Sequence, residues 1–252
     1  MSGNEHLTSV VLAAGYGRRI QGLTDRPKVL LELCGESLLR RHLRIQKRAG
    51  IDRMVIVVGY EKEQIIEEVA ACEEKPEVEF VVSDDFRTKG NSYSLLLGLE
   101  RVVGAALVFD GDLFYDADIL VRFLSESAPS SILIGPGDVG DVEAAKALVD
   151  QEGMVRKTVD KRLFRKEELA QYEFAGEAIG VLRFDADRTN ALRDELREFL
   201  AKPENLMLNW EHPLSRFLLR HNLEAYLEKS DQWLEIDDEV DFRRAVARFE
   251  QS

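Results

Sequence analysis

Short apolar runs alternate with amphipathic stretches through the first half of the chain. Ser9-Val10-Val11-Leu12-Ala13, Met54-Val55-Ile56-Val57-Val58, Val78-Glu79-Phe80-Val81-Val82 and Ala106-Leu107-Val108-Phe109 read as buried strands. Between them, Leu38 to Ala49, Glu63 to Cys72 and Tyr93 to Val103 carry apolar residues at helical spacing. Mostly apolar strands separated by helices predict a mostly parallel sheet covered on both faces. Right-handed crossovers make this a doubly wound α/β fold.

The second half is less regular. Ser131 to Ile134, Ala144 to Val149 and Ala178 to Phe184 read as strands. Arg188 to Leu200, Pro213 to Arg220 and Val240 to Phe249 read as helices. Gly135-Pro136-Gly137-Asp138 and the charged stretch Lys161 to Glu168 predict loops. No repeat, low-complexity tract or Pro/Gly-rich linker divides the chain, so residues 1–252 are expected to form one domain with a C-terminal elaboration.

Charge narrows the partners. Lys and Arg number 34 against 47 Asp and Glu, a formal net charge of −13. Such a surface repels nucleic-acid backbones and anionic membranes, and neither is an expected partner. The two cysteines, Cys34 and Cys72, lie in apolar or helical patterns, and two buried free thiols are expected. Met1 to Thr8 lacks the charged start and apolar run of a signal peptide, and no apolar run approaches ~18 residues. A cytoplasmic protein is therefore expected.

The most specific feature follows the first strand: Leu12-Ala13-Ala14-Gly15-Tyr16-Gly17-Arg18-Arg19, with Pro27-Lys28 downstream. Glycines let backbone N–H groups approach anionic oxygens, and arginines add planar donors to the same oxygens. A dinucleotide fingerprint would need a glycine where Ile20 stands, and the Gly-Lys-Ser/Thr of a P-loop is absent. A second feature is Phe109-Asp110-Gly111-Asp112, a strand that ends in two carboxylates. Open α/β sheets bind ligands at the carboxyl ends of their strands, and Mg²⁺ takes hard oxygen ligands.

This pattern resembles the sugar-phosphate nucleotidyltransferase superfamily, which joins an NTP to a phosphorylated small molecule and releases pyrophosphate. The resemblance implies a Rossmann-like, GT-A-like nucleotidyltransferase fold. Its nucleotide-binding half spans about 7–125 and its acceptor-binding half about 126–252. It implies that Leu12, Ala13, Ala14, Gly15, Gly17 and Arg18 hold the nucleotide. Arg19 meets the leaving phosphates and Lys28 the α-phosphate. Asp112 and Asp237 hold Mg²⁺, with Glu235 and Asp238 as rivals of Asp237. Lys161 is implied to contact the acceptor phosphate, ahead of Lys157.

Asn91 and Ser94, heading a helix, resemble an Asn-x-x-Ser motif of the choline-phosphate and phosphonate cytidylyltransferase branch, which uses CTP. Ala175-Gly176-Glu177 and Trp233-Leu234-Glu235-Ile236-Asp237 match that branch as well. The acceptor is then implied to meet Glu177, Trp210 and Glu211, the tryptophan face attracting a quaternary ammonium. The reading is a Mg²⁺-dependent cytidylyltransferase for phosphocholine, an aminoalkyl phosphonate or a similar acceptor, with an amino-acid phosphate or polyol phosphate also open. The alternatives are a sugar-1-phosphate nucleotidylyltransferase using UTP, dTTP or GTP, and a non-catalytic nucleotide sensor. A homodimer is left open.

Overall fold

The structure is a computed structural model and describes residues 6–20 and 22–250. In the first half, β1 (Leu7–Ala13), β4 (Arg53–Val58), β5 (Glu77–Val82) and β6 (Ala105–Asp110) alternate with α1 (Leu38–Arg48), α2 (Lys62–Ala70) and α3 (Asn91–Leu99). A small hairpin of β2 (Glu32–Leu33) and β3 (Glu36–Ser37) precedes α1. The four long strands pair in parallel in the order β5-β4-β1-β6. Successive residues of β1 serve opposite faces, as the period of two requires. Val10 and Leu12 pack toward α3, whereas Val11 and Ala13 join the layer that contains Leu39 and Leu43 of α1. Ser37 starts α1 by accepting the Arg40 N–H at 3.1 Å.

The second half comprises β7 (Leu113–Tyr115), α4 (Ala117–Glu126), β8 (Ser131–Gly135), β9 (Lys146–Val149), β10 (Met154–Val159), α5 (Lys166–Gln171), β11 (Glu173–Phe184), α6 (Ala186–Leu200), α7 (Glu211–Phe217), β12 (Leu223–Leu227), β13 (Trp233–Glu235) and α8 (Glu239–Phe249). Strand β11 joins β6 antiparallel, and the sheet continues as β11-β8-β12-β10-β9. Register shifts bend β11, so its first residues also pair with β9 and the far strands close on themselves. The doubly wound α/β expectation holds: parallel in the first half, mixed in the second. Among the described residues no helix is long and apolar enough to cross a membrane.

Three features depart from expectation. Helix α4, capped by Asp116, and strands β7 and β12 arise where no element was predicted, while β13 forms where the resemblance implied a late strand before Asp237. The Lys161–Glu168 stretch runs into α5, because the Glu168 carboxylate accepts the Arg165 N–H at 2.7 Å and fixes the first turn. Cys34 is exposed rather than buried, and Cys72 is half-buried; both are free. Cys34 and Gly35 form the two-residue β2–β3 turn at φ of +55° and +78°. Positive φ at both positions suits the twist of a tight hairpin, and the turn leaves Cys34 at the surface, its Sγ 3.4 Å from the Phe249 carbonyl.

Candidate active site

The strand ends meet at one edge of the parallel sheet. Gly111 N–H donates to the Leu12 carbonyl at 3.1 Å, tying the end of β6 to the end of β1. A Cβ on Gly111 would lie 2.5 Å from that carbonyl oxygen, so the contact requires glycine. The chain after β1 turns through Gly17, at φ +59°, into the short turn Arg18–Ile20. Between these segments and the start of α3 lies a cavity of about 200 Å³. Leu12, Ala13, Ala14, Gly15, Gly17, Lys28, Asn91, Ser94, Asp110 and Asp112 line it, with Phe86, Lys89 and Gly90. The predicted nucleotide contacts therefore share one cavity, except the Arg18 side chain, which lies outside the described residues.

Asp112 and Asp237 are distant in sequence, and the two-strand ladder joins them. Strand β13 runs antiparallel to β7 with Glu235 opposite Leu113, and Ile236 N–H donates to the Asp112 carbonyl at 3.1 Å. One residue further, Asp237 meets Asp112. Carboxylate oxygens of Asp112, Glu235 and Asp237 lie within 4.8 Å of one another. Asp238 instead caps α8, accepting from Val240 N (2.7 Å) and Asp241 N (3.0 Å).

Among the described residues, three cations converge on Asp237. Lys28 Nζ bridges Asp112 and Asp237, at 3.0 Å from Asp237 Oδ1. Lys161 Nζ is 2.9 Å and Arg19 Nη2 is 2.7 Å from Asp237 Oδ2. Burial would raise the Asp237 carboxyl, but Lys28 and Lys161 outweigh it and hold the group well below the usual carboxylate range. Burial likewise opposes the Lys28 charge, yet Asp112 and Asp237 raise its pKa above the ordinary lysine value. Lys161 sits at φ +41°, an uncommon conformation for a lysine and one often found at functional sites.

The donor chemistry suits a hard divalent cation. Asp112 Oδ1 is buried without a hydrogen-bond partner. Burial, then Asp112 and Asp237, push the Glu235 carboxyl well above its ordinary range. Such a crowd of carboxylates ionises together only beside a compensating positive charge.

A larger cavity, of about 510 Å³, adjoins the same acids. Its wall is acidic: Asp141, Glu143, Glu177, Asp231, Glu235, Asp237, Asp238 and Asp241 against Arg19, Arg244 and Arg248, with Trp233 as its aromatic member. Glu177, predicted to meet an acceptor, is there. Burial, then Asp141 and Asp241, push its carboxyl up to about 7. Trp210 and Glu211 are not brought to this cavity and line neither of the two. Trp210 is 2% exposed because the entry to α7 packs into the core. Its indole N–H points to the Asp110 carboxylate, 3.2 Å from each oxygen. Glu211 is buried beside it, and burial, then Asp160, push its carboxyl up to about 8.

Sequence reasoning left out Asp141, kept Glu235 only as a rival, and placed Asp110 at the strand end facing the pocket without giving it a role. Asp141, on the loop between β8 and β9, carried no usable signal.

Comparison with known proteins bears on family and fold. Over 139 residues, 54% of its length, the chain is 30% identical to a protein named Bifunctional protein GlmU from Methanococcus vannielii, and the match covers 32% of that protein. It is 30% identical over 127 residues, 50% of the chain, to a choline-phosphate cytidylyltransferase from Streptococcus pneumoniae, of which 53% is matched. The chain thus spans about half or less of these two relatives. Among solved structures, the CTP:phosphocholine cytidylyltransferase LicC of Streptococcus pneumoniae superposes with a TM-score of 0.77 at 21% identity, over 96% of this chain and 98% of that one. That likeness bears on fold. Residues 9–225 match the MobA-like NTP transferase domain, so the chain belongs to that family of nucleotidyltransferases.

Proposed function

We propose that the protein is a Mg²⁺-dependent cytidylyltransferase that joins CTP to a small phosphorylated or phosphonate acceptor carrying a positive charge, and releases pyrophosphate. The observation that carries this reading is the meeting of two unlike cavities at Asp112, Lys28 and Asp237. One is small and glycine-walled, and the other is large and acidic. The small cavity suits a nucleoside triphosphate, whose oxygens accept from backbone N–H groups and cations. The acidic cavity suits a cationic headgroup such as choline or a primary amine better than a neutral sugar. Similarity to a choline-phosphate cytidylyltransferase agrees with that preference.

In the reaction, an oxygen of the acceptor phosphate attacks the α-phosphorus. The bond to the β-phosphate oxygen breaks in line, and pyrophosphate leaves with the electron pair. The nucleophile is already an anion, so no general base is needed. Lys28, at the junction, meets the α-phosphate; Arg19 follows the leaving phosphates; Lys161 holds the acceptor phosphate. Asp112 and Asp237, with Glu235 beside them, would hold the metal. When bound, Mg²⁺ offsets the carboxylates and the negative charge spreading over the transferred phosphate. Transfer of hydrogen bonds from Asp237 to substrate phosphates frees Arg19 and Lys161 for these roles.

The test is pyrophosphate release with each of CTP, UTP, GTP and dTTP against phosphocholine, aminoalkyl phosphonates, polyol phosphates and sugar 1-phosphates, with and without Mg²⁺. The expected result is release with CTP and a cationic acceptor, dependent on the metal. Release only with a sugar 1-phosphate and another NTP overturns the acceptor and base assignments.

A further inference from the structure

The Asp110 carboxylate has no part in the chemistry above, yet it lines the smaller cavity beside Gly111 and Asp112. Its surroundings fix its direction. Trp210 donates its indole N–H from one side, 3.2 Å from both oxygens. On another side Gly180, at φ +77°, lies so close that a Cβ there would be 2.7 Å from Oδ2. A carboxylate offers about four lone-pair positions, and one shared N–H leaves most of them unused. The remaining acceptor capacity faces the cavity.

Trp210 also ties this carboxylate to the far end of the same cavity. Its backbone N–H donates to Asn91 Oδ1 at 2.8 Å. Gly90 N–H donates to the Leu206 carbonyl at 2.7 Å, and a Cβ on Gly90 would meet the Met207 and Leu208 carbonyls at 2.7 Å. Trp210 and the residues before it thus support both Asn91 and Asp110 from below.

We propose that Asp110 accepts hydrogen bonds from the ribose hydroxyls of the bound nucleoside triphosphate, and that Trp210 is the positioning residue that keeps the carboxylate aimed at them. The inference rests on the nucleotide occupying the smaller cavity. In such a ligand the sugar is the next group after the α-phosphate. Reaction at Asp112 and Lys28 puts the ribose beside Asp110, two residues away, and the base beyond it toward Asn91 and Ser94. A site built to bind a hydroxyl rejects the analogue that lacks it, because the buried acceptor is left unpaired. The enzyme should therefore select ribonucleotides over deoxyribonucleotides.

The experiment is equilibrium binding of CTP, 2′-deoxy-CTP and 3′-deoxy-CTP to the wild type, Asp110→Ala and Trp210→Phe, with thermal melts to check folding. The wild type is expected to bind at least one deoxy analogue roughly 10–100-fold more weakly than CTP. In Asp110→Ala, CTP should fall to the level of that analogue and the preference should vanish. In Trp210→Phe, which keeps a buried ring but removes the donor, the preference should shrink. Equal wild-type affinities for all three ligands overturn the inference while leaving the nucleotidyltransfer reading intact. So does a preference that survives in Asp110→Ala. Failure of CTP, UTP, GTP and dTTP all to bind the wild type overturns both. If Asp110→Ala does not fold, the wild-type ratio and its response to Trp210→Phe decide.

Discussion

The two cavities are built by opposite means. The smaller is shaped by backbone: glycines and alanines at the ends of neighbouring strands leave room, and Gly111 rests against the Leu12 carbonyl. The larger is shaped by side chains: acids reach into it from the β8–β9 loop, β11, β13 and the start of α8. A backbone-shaped cavity tolerates little change in its walls. A side-chain-shaped one can exchange its charges and keep the fold; on the proposed reading, acceptor choice can vary there while the nucleotide side stays constant.

The severest break in this comparison is expected where the cavities meet. Asp112→Asn removes a carboxylate from the proposed metal set. Losing several kcal/mol of charge stabilisation lowers kcat by about 10³-fold, measured as pyrophosphate release, while far-UV circular dichroism stays native. Activity near wild type would remove Asp112 from the mechanism. Gly111→Ala acts first on the backbone-shaped side. The new methyl drives the β6 end away from Leu12, at a cost of roughly 1–3 kcal/mol and a few degrees of Tm. The KM for the nucleotide should rise while the KM for the acceptor stays, and the reverse pattern would refute the division.

The mildest effect is expected on the acidic side. Glu177 titrates near 7, so it is neutral below that pH and charged above it. The KM for a cationic acceptor should fall several-fold between about pH 6 and 8, and this slope should flatten in Glu177→Gln. Stability runs the other way. The folded carboxyl titrates above its unfolded value of about 4.3, so its contribution is lost as pH rises through 7. Glu177→Gln should then melt higher than wild type above that pH. A slope unchanged by the substitution would assign the titration elsewhere.

What the sequence makes legible divides along the same line. The parallel strands and the loop after β1 are written in contiguous residues, so the apolar runs and the Gly15–Gly17 spacing disclose them. The Asp112–Asp237 junction depends on two three-residue strands, one mid-chain and one near residue 235, too short to leave a periodic signal, so only the motif resemblance linked the two acids. The tryptophans show the same limit. Trp210 and Trp233 both stand near acids in sequence, yet the first is enclosed against Asp110 and the second lines the acidic cavity. Only the packing of α7 against the core distinguishes them. Cys34 fails for a related reason, because its apolar neighbours conceal a tight turn.

The β7–β13 ladder has a consequence for the order in which the enzyme comes into being. During synthesis the first half can emerge and pair its parallel strands early, but a nascent chain that stops before Trp233 lacks the second carboxylate and the ladder that carries it. The proposed metal set is therefore completed only after β13 has emerged and paired with β7. A chain that stops before β13 would hold the smaller cavity without the Asp237 carboxylate beside it.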